Sequence, residues 1–97
     1  MERHPLGSQA FIPLSENPYL VIVAPPGEFD VHRLRAFLAH AGQGVNYVKG
    51  VWHHPLLVLN EVADFILVER GGAGLNFEDV RLLKPVIITE ESVAALL

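Results

Sequence analysis

Residues 44–59, GVNYVKGVWHHPLLVL, decide the fold that this sequence predicts. A turn at Lys49 is followed by an apolar run rich in valine, leucine and tryptophan, which is typical of a β-strand. Successive side chains of a strand point to opposite faces, so His53 and His54 cannot enter the same cavity. If His53 faces inward, Trp52 and His54 lie on the other face. The pattern therefore predicts one inward histidine, either functional or buried for structural reasons.

The composition predicts one packed domain over residues 1–97. Hydrophobic residues make up 51% of the chain and charged residues 19%, which is typical of a globular protein. The net charge is −4 and the seven Lys and Arg residues are scattered, so we expect no nucleic-acid surface. No apolar run reaches transmembrane length, so we expect no membrane partner either. Because the chain has no Cys, thiolate nucleophiles and zinc–thiolate sites are excluded, and a cytoplasmic location is expected.

Several short strands between Gly- and Pro-containing turns are predicted along the rest of the chain. Strands at Gln9–Pro13 and Tyr19–Ala24 are expected to form a hairpin, and Gln9 is expected to share a face with Phe11 and Pro13. A second hairpin is predicted, in which two runs pair through a tight turn. The remaining strands are predicted over residues 44–47, 51–59, 62–68 and 84–89. The strands over 51–59 and 62–68 are the two that form the second hairpin.

One short helix is predicted over residues 31–40. Asp30 can cap its first turn, and apolar side chains such as Leu34 and Phe37 recur at helical spacing. Residues 90–97 form a tail for which a helix, packing on a partner and fraying are all left open. Short strands with one helix indicate a mainly β fold, a sandwich or barrel of the jelly-roll type.

Four segments of the sequence resemble the ureidoglycolate lyase family, formerly called ureidoglycolate hydrolase, in the same order and with similar spacing. They are ERHPLGSQAFIPL, LRAF, QGVNYVKGVWHHPL and DFILVERGG, and together they extend over residues 2–72. The resemblance implies a cupin-like jelly-roll barrel that binds (S)-ureidoglycolate and eliminates urea to leave glyoxylate. It also implies a place in allantoin catabolism, which is part of purine metabolism, and a homodimer.

The same resemblance implies a metal site like that of the cupins. The positions that correspond to the cupin ligands are Glu2, His4, Gln9 and His53, two of which depart from the usual cupin residues. Glu2 and His4 alternate along a strand and so share a face, and their oxygen and imidazole donors suit a first-row divalent ion. The family is associated with nickel, so nickel is the expected ion. The alternative interpretation is a polar cluster that is hydrogen-bonded inside the barrel mouth.

The expected reaction, an elimination, requires a base near neutral pKa and a proton donor for the departing nitrogen. His53 and His4 are the candidate catalytic groups, together with Lys49, which could also hold the substrate carboxylate or simply lie in an exposed turn. Arg3 is a candidate carboxylate clamp because its guanidinium is planar. Gln9 and Tyr47 are further candidates for substrate binding.

The resemblance begins well inside the family's longer chains, so the family's N-terminal portion is expected to be absent. Either this is a truncated product, or a partner chain completes the barrel. Three functions are therefore weighed. The first is the lyase, the second is a hydrolase that releases ammonia and carbon dioxide, and the third is a non-catalytic cupin that only oligomerises. Gln9 and Val48, the latter standing where family members often have His, favour the third.

Overall fold

Two β-sheets dominate the regular secondary structure of the computed structural model, which describes residues 1–40, 42–60 and 62–95. The predicted mainly β fold is confirmed. The strands of the described ranges are β1 Glu2–Arg3, β2 Gln9–Pro13, β3 Tyr19–Ala24, β4 Arg35–Ala39, β5 Val45–Tyr47, β6 Trp52–His53, β7 Leu57–Val58, β8 Phe65–Glu69, β9 Glu78–Asp79 and β10 Val93–Ala95.

The larger sheet has the strand order β10-β4-β3-β6-β1-β9, and β7 also pairs with β3. The smaller sheet has the order β5-β2-β8. Aromatic side chains join the two sheets, because the ring of Tyr19 on β3 contacts that of Phe65 on β8 edge to face, with 5.2 Å between centroids. The two sheets do not close into a barrel within the described residues, and their arrangement is compatible with a cupin-like sandwich.

Strand β3 forms the centre of the larger sheet, as its continuous apolar sequence predicts. Tyr19 and Val21 are buried on the face that meets the smaller sheet, together with Ala39 of β4 and Tyr47 of β5. Ile22 and Ala24 are buried as well, so this strand is covered on both faces. Because β4, β6 and β7 all pair with β3, its burial positions the residues on its neighbours.

The helix predicted over residues 31–40 is wrong. Asp30 does cap a turn, since its Oδ1 accepts a hydrogen bond from the His32 N–H at 2.9 Å, but that turn is a single 3₁₀ turn, Val31–Arg33. The chain then continues as β4, antiparallel to β3. The apolar positions of this segment fit a strand period as well as a helix period, and pairing with the buried β3 decides between them.

Both predicted hairpins are also wrong. Strands β2 and β3 belong to different sheets, and β2 pairs instead with β5 and β8. The range 51–59 contains two short strands, β6 and β7, separated by Pro55, which has no N–H to donate to a ladder. Asn60 adopts the left-handed conformation, with φ 75°, and the chain then crosses to the smaller sheet as β8.

The strand predicted over residues 84–89 is wrong too. The strand of this region is β10, which follows a 3₁₀ turn at Glu90–Ser92 and lies parallel to β4. The predicted tail is thus partly a strand, and its last two residues lie outside the described ranges. Among the residues described, no helix has the length and apolar character needed to cross a bilayer.

Two isoleucines provide a matched test of this packing. Ile22 is 7% exposed and Ile87 is 84% exposed. We expect Ile22→Ala to lower the free energy of unfolding by about 2–5 kcal/mol, because it leaves a cavity beside β3. We expect Ile87→Ala to change it by less than about 0.5 kcal/mol. Urea unfolding followed by the fluorescence of Trp52 measures both, and equal effects would contradict this description of the core.

Candidate active site

His53 lies at the centre of the candidate site, on β6 between β3 and β1. The residue is 1% exposed and its side chain faces the smaller sheet, while Trp52 points to the opposite face, as the strand alternation predicts. The Nδ1 atom lies 3.2 Å from the main-chain oxygen of Val51. A carbonyl only accepts, so Nδ1 carries the hydrogen and Nε2 carries the free lone pair.

A different carbonyl selects the same tautomer of His4, with hydrogen on Nδ1. Its Nδ1 lies 2.9 Å from the main-chain oxygen of Asn76, to which it donates. The Asn76 side chain is bound as well, because its Oδ1 accepts from the Leu6 N–H at 2.8 Å. The Nε2 atoms of His4 and His53 are both buried, and neither has a hydrogen-bond partner among the described residues. Two imidazole lone pairs therefore remain unused in one small space.

Glu2 completes a cluster with these two histidines. It lies directly opposite His53 on the neighbouring strand, and its Oε1 is 3.6 Å from His53 Nε2. The candidate ligand atoms of Glu2, His4 and His53 all lie within 4.8 Å of one another. Two imidazole nitrogens and a carboxylate oxygen are a donor set that first-row divalent ions prefer. The residues present therefore fit the divalent ion that the sequence predicts.

The smaller sheet supplies the opposite wall of the cluster. The ring of Tyr47 stacks on the imidazole of His53, with 4.1 Å between centroids and 7° between planes. Its hydroxyl is buried without a hydrogen-bond partner among the described residues. Burial raises the pKa of Tyr47, and the neighbouring Tyr19 and Glu2 raise it further, so the hydroxyl keeps its proton. Tyr47 is a buried donor that no residue of the described ranges uses.

Gln9 lies directly opposite Tyr47, on β2. Side chains at opposed positions share a face, so Gln9 faces the space between the sheets. Its Nε2 donates to Glu69 Oε2 at 2.8 Å, while its Oε1 is buried without a partner among the described residues. The amide is thus fixed by Glu69, and its oxygen remains available to accept a hydrogen bond.

Arg3 lies on the other face of the larger sheet from His53. Its Nε and Nη2 bind Glu78 Oε2 at 3.2 and 2.7 Å, and its Nη1 donates to the Gly27 oxygen at 2.8 Å. The guanidinium carbon also lies 4.5 Å from the ring centroid of Trp52. The structure therefore does not bring Arg3 together with the cluster, and its contacts hold β1 in place from behind.

Lys49 is exposed, in the turn between β5 and β6. This turn is fixed to the cluster, because the Gly50 N–H donates to the main-chain oxygen of His4 at 3.0 Å. Gly50 has φ 84°, a left-handed conformation that favours glycine, and the predicted turn is confirmed. Lys49 thus lies at the rim of the site, one residue from a direct backbone contact with it.

The structure brings together Glu2, His4 and His53 under Tyr47, with Gln9 beside Tyr47. Sequence reasoning missed Asn76, whose carbonyl orients His4 across a separation of 72 residues. No local signal marks it, since any residue could present that carbonyl.

Comparison with known proteins gives the same family as the sequence segments. The family model for ureidoglycolate lyase matches residues 1–89. The chain belongs to the ureidoglycolate lyase family. It is 54% identical over 95 residues to a protein named ureidoglycolate lyase from Burkholderia mallei (strain NCTC 10229), a match that covers 98% of this chain and 56% of that protein.

Two further relatives carry the same name. The protein from Burkholderia cepacia is 59% identical over 83 residues, which cover 84% of this chain and 47% of that protein. The protein from Pseudomonas aeruginosa (strain LESB58) is 58% identical over 80 residues, which cover 81% and 47%. The chain thus spans about half the length of the curated relatives it matches.

The burial of His53 predicts a pH dependence of stability in the metal-free protein. Burial lowers the pKa of His53 below the ordinary histidine value, although the Val51 carbonyl and Glu2 act in the opposite direction. Below about pH 6.5 the unfolded chain then binds more protons than the folded chain, so the free energy of unfolding falls as the pH decreases. We expect His53→Asn to reduce this slope in urea unfolding with chelator present. A variant slope equal to that of the wild type would contradict a depressed pKa.

Proposed function

We propose that this chain cleaves the carbon–nitrogen bond of (S)-ureidoglycolate, releasing urea and glyoxylate. The observation that carries the proposal is the convergence of two imidazole Nε2 atoms that lack a hydrogen-bond partner among the described residues, those of His4 and His53, with the Glu2 carboxylate. Membership of the ureidoglycolate lyase family and the names of the relatives support it. The proposal includes a place in allantoin and purine catabolism and a cytoplasmic location.

Glu2, His4 and His53 would hold a divalent metal ion, and nickel is our first candidate. The backbone carbonyls of Val51 and Asn76 support this assignment, because metal-binding histidines commonly donate their second N–H to a carbonyl. A divalent ion bound there would lower the pKa of the substrate hydroxyl and stabilise the negative charge that develops on oxygen. Gln9, whose oxygen lacks a partner, would support the substrate or the ion from the smaller sheet.

The elimination moves two protons. The substrate carbon carries a hydroxyl, a ureido nitrogen and a carboxylate, and the hydroxyl proton leaves as the carbonyl of glyoxylate forms. The C–N bond breaks in the same reaction, and the departing nitrogen takes up a proton to give urea, so no water is consumed. Without an ion, His53 is the proton acceptor, because its lowered pKa keeps Nε2 unprotonated at neutral pH. With an ion bound, the same lone pair would be occupied and His53 would act as a ligand instead.

Two other side chains have roles that follow from their placement. Tyr47 keeps its proton and would donate a hydrogen bond to the substrate from above His53. Lys49, in the turn that is bound to His4, would approach from the rim and deliver a proton to the departing nitrogen. Both roles rest on position, that of Tyr47 over the His53 ring and that of Lys49 in the turn bound to His4.

We also propose that the chain forms a homodimer, with β8 at the interface. This strand lies at the edge of the smaller sheet in the described residues. Its side chains Ile66, Leu67 and Val68 are 48%, 46% and 56% exposed. An exposed apolar edge strand pairs readily with another chain, and a second copy is the simplest partner. This observation also supports the alternative function, a non-catalytic cupin that only oligomerises.

The reaction can be tested on the purified 97-residue chain with (S)-ureidoglycolate. We expect urea and glyoxylate in equal amounts, loss of turnover with a chelator, and recovery when nickel is restored. His53→Ala is expected to reduce turnover by at least about 100-fold, because it removes the Nε2 lone pair that acts either as a proton acceptor or as a ligand. The matched control is His54→Ala, which changes the neighbouring histidine on the opposite face and should leave turnover unaffected.

The products separate the three functions. Ammonia in place of urea would indicate the hydrolase. No turnover by a folded protein under any of these conditions would contradict the lyase and favour the non-catalytic cupin. Turnover that survives chelation but not His53→Ala would show that His53 acts as the base without a metal ion.

Metal binding has its own measurement, calorimetric titration of the chelator-treated chain with nickel. We expect one ion per chain and at least about tenfold weaker binding by His4→Ala and His53→Ala, since each removes an oriented imidazole. His54→Ala should bind as the wild type does. Equal affinity of all four proteins would contradict the assignment of Glu2, His4 and His53 as the ligands.

A further inference from the structure

A cleft opens between the two sheets beside the cluster of Glu2, His4 and His53. Its volume is about 460 Å³, which is the size of a small-molecule pocket. Its floor is apolar and comes from inward-facing side chains of the larger sheet, among them Val21, Val23 and Phe37. Tyr47 belongs both to this cleft and to the cluster, since it lines the cleft and stacks on His53. The cleft and the cluster therefore share a wall.

The register of the larger sheet aligns one charged residue with the cluster. Val23 lies directly opposite Arg35 on one side and His53 on the other, and His53 lies opposite Glu2. Residues opposed in this way point to the same face, so Arg35, Val23, His53 and Glu2 form one row across four strands. Strands are about 4.8 Å apart, which places the Cα atoms of Arg35 and His53 about 10 Å apart. The long side chain of Arg35 covers part of this distance, so a small molecule can contact both Arg35 and His53.

The charges of the cleft are of one sign. Arg33 and Arg35 both line it, and no Asp or Glu of the described residues does. Neither arginine takes part in the ion pairs of those residues, which are Arg3–Glu78 and His53–Glu2. One N–H of Arg35 is used, since Nη1 donates to the Leu34 oxygen at 2.9 Å. The rest of its planar guanidinium is available to an anion.

Tyr47, which lines this cleft, also carries a buried donor. The hydroxyl of Tyr47 has no partner in the described ranges although the residue is only 3% exposed. A buried donor without a partner is costly, and a ligand that accepts its hydrogen bond removes that cost. The cleft thus offers two arginines, Arg33 and Arg35, and shares Tyr47 with the cluster that contains His53.

We infer that Arg35, assisted by Arg33, binds the carboxylate of the substrate in this cleft and so turns the carbon that carries the hydroxyl and ureido groups toward His53. Arg35 is a positioning residue for the reacting carbon and a direct contact for the carboxylate. The identity of the substrate rests on the proposed function. The binding of a small carboxylate by the cleft does not.

Glycolate and its uncharged amide, glycolamide, test this inference directly, because they differ in the carboxylate. Calorimetric titration, with chelator present so that no metal ion holds the carboxylate, gives the affinity for each. We expect the wild type to bind glycolate at least about tenfold more tightly than glycolamide, and Arg35→Gln to weaken glycolate about tenfold or more. Arg35→Lys should recover part of the loss. Arg81→Gln removes an exposed arginine outside the cleft and is the matched control, expected to bind as the wild type does.

Three results would overturn the inference. The first is equal binding of glycolate and glycolamide by the wild type, and the second is equal binding of glycolate by Arg35→Gln and Arg81→Gln. The third is a loss of glycolate binding in His53→Ala without a loss in Arg35→Gln, which would place the carboxylate at the cluster.

Steady-state kinetics distinguish a failure of this inference from a failure of the proposed function. In an active enzyme, Arg35→Gln should raise KM for (S)-ureidoglycolate about tenfold or more and change kcat less. An unchanged KM would overturn the role of Arg35 while the lyase activity stands. A wild type that binds glycolate through Arg35 but turns nothing over would support the carboxylate site and contradict the lyase.

Discussion

Main-chain carbonyls fix the protonation form of the two imidazoles on which the candidate site depends. Val51 accepts from Nδ1 of His53 and Asn76 accepts from Nδ1 of His4, so both Nε2 atoms keep a lone pair. The two lone pairs meet beside Glu2, and burial lowers the pKa of His53, which disfavours its charged form. Proton acceptance and metal binding both follow from this one constraint, since each needs an unprotonated nitrogen.

The fold provides this constraint by placing three short segments around one well-buried strand. Strand β3 holds β6, which carries His53, and β6 in turn holds β1, which carries Glu2. The turn at Gly50 ties back to His4, and the smaller sheet places Tyr47 over the His53 ring. Strands of two residues are weak by themselves, so the arrangement of the site depends on packing between the sheets more than on local propensity.

The sequence predicted correctly the elements whose residue pattern fits only one kind of secondary structure. The run Tyr19–Ala24 is apolar throughout and predicts a buried strand, and alternation predicts that one of the two adjacent histidines faces inward; both predictions are confirmed, and the inward histidine is His53. The segment 31–40 fits two periods, and its pairing with β3 is a long-range contact that no local pattern contains. The same error hid Arg35, because a helix would not align it with His53, whereas β4 places this exposed residue in the row with His53. Asn76 orients His4 through its backbone oxygen, and its side chain binds the Leu6 N–H, both across about 70 residues of sequence, so no local pattern marks it.

The most direct test of this site is a long-range proton–nitrogen NMR spectrum of the ¹⁵N-labelled, metal-free protein at neutral pH. Such a spectrum distinguishes the two neutral forms of each histidine ring. The carbonyl contacts of Val51 and Asn76 predict that His53 and His4 both carry hydrogen on Nδ1 and none on Nε2. Hydrogen on Nε2 of either residue would contradict the claim that both lone pairs face Glu2.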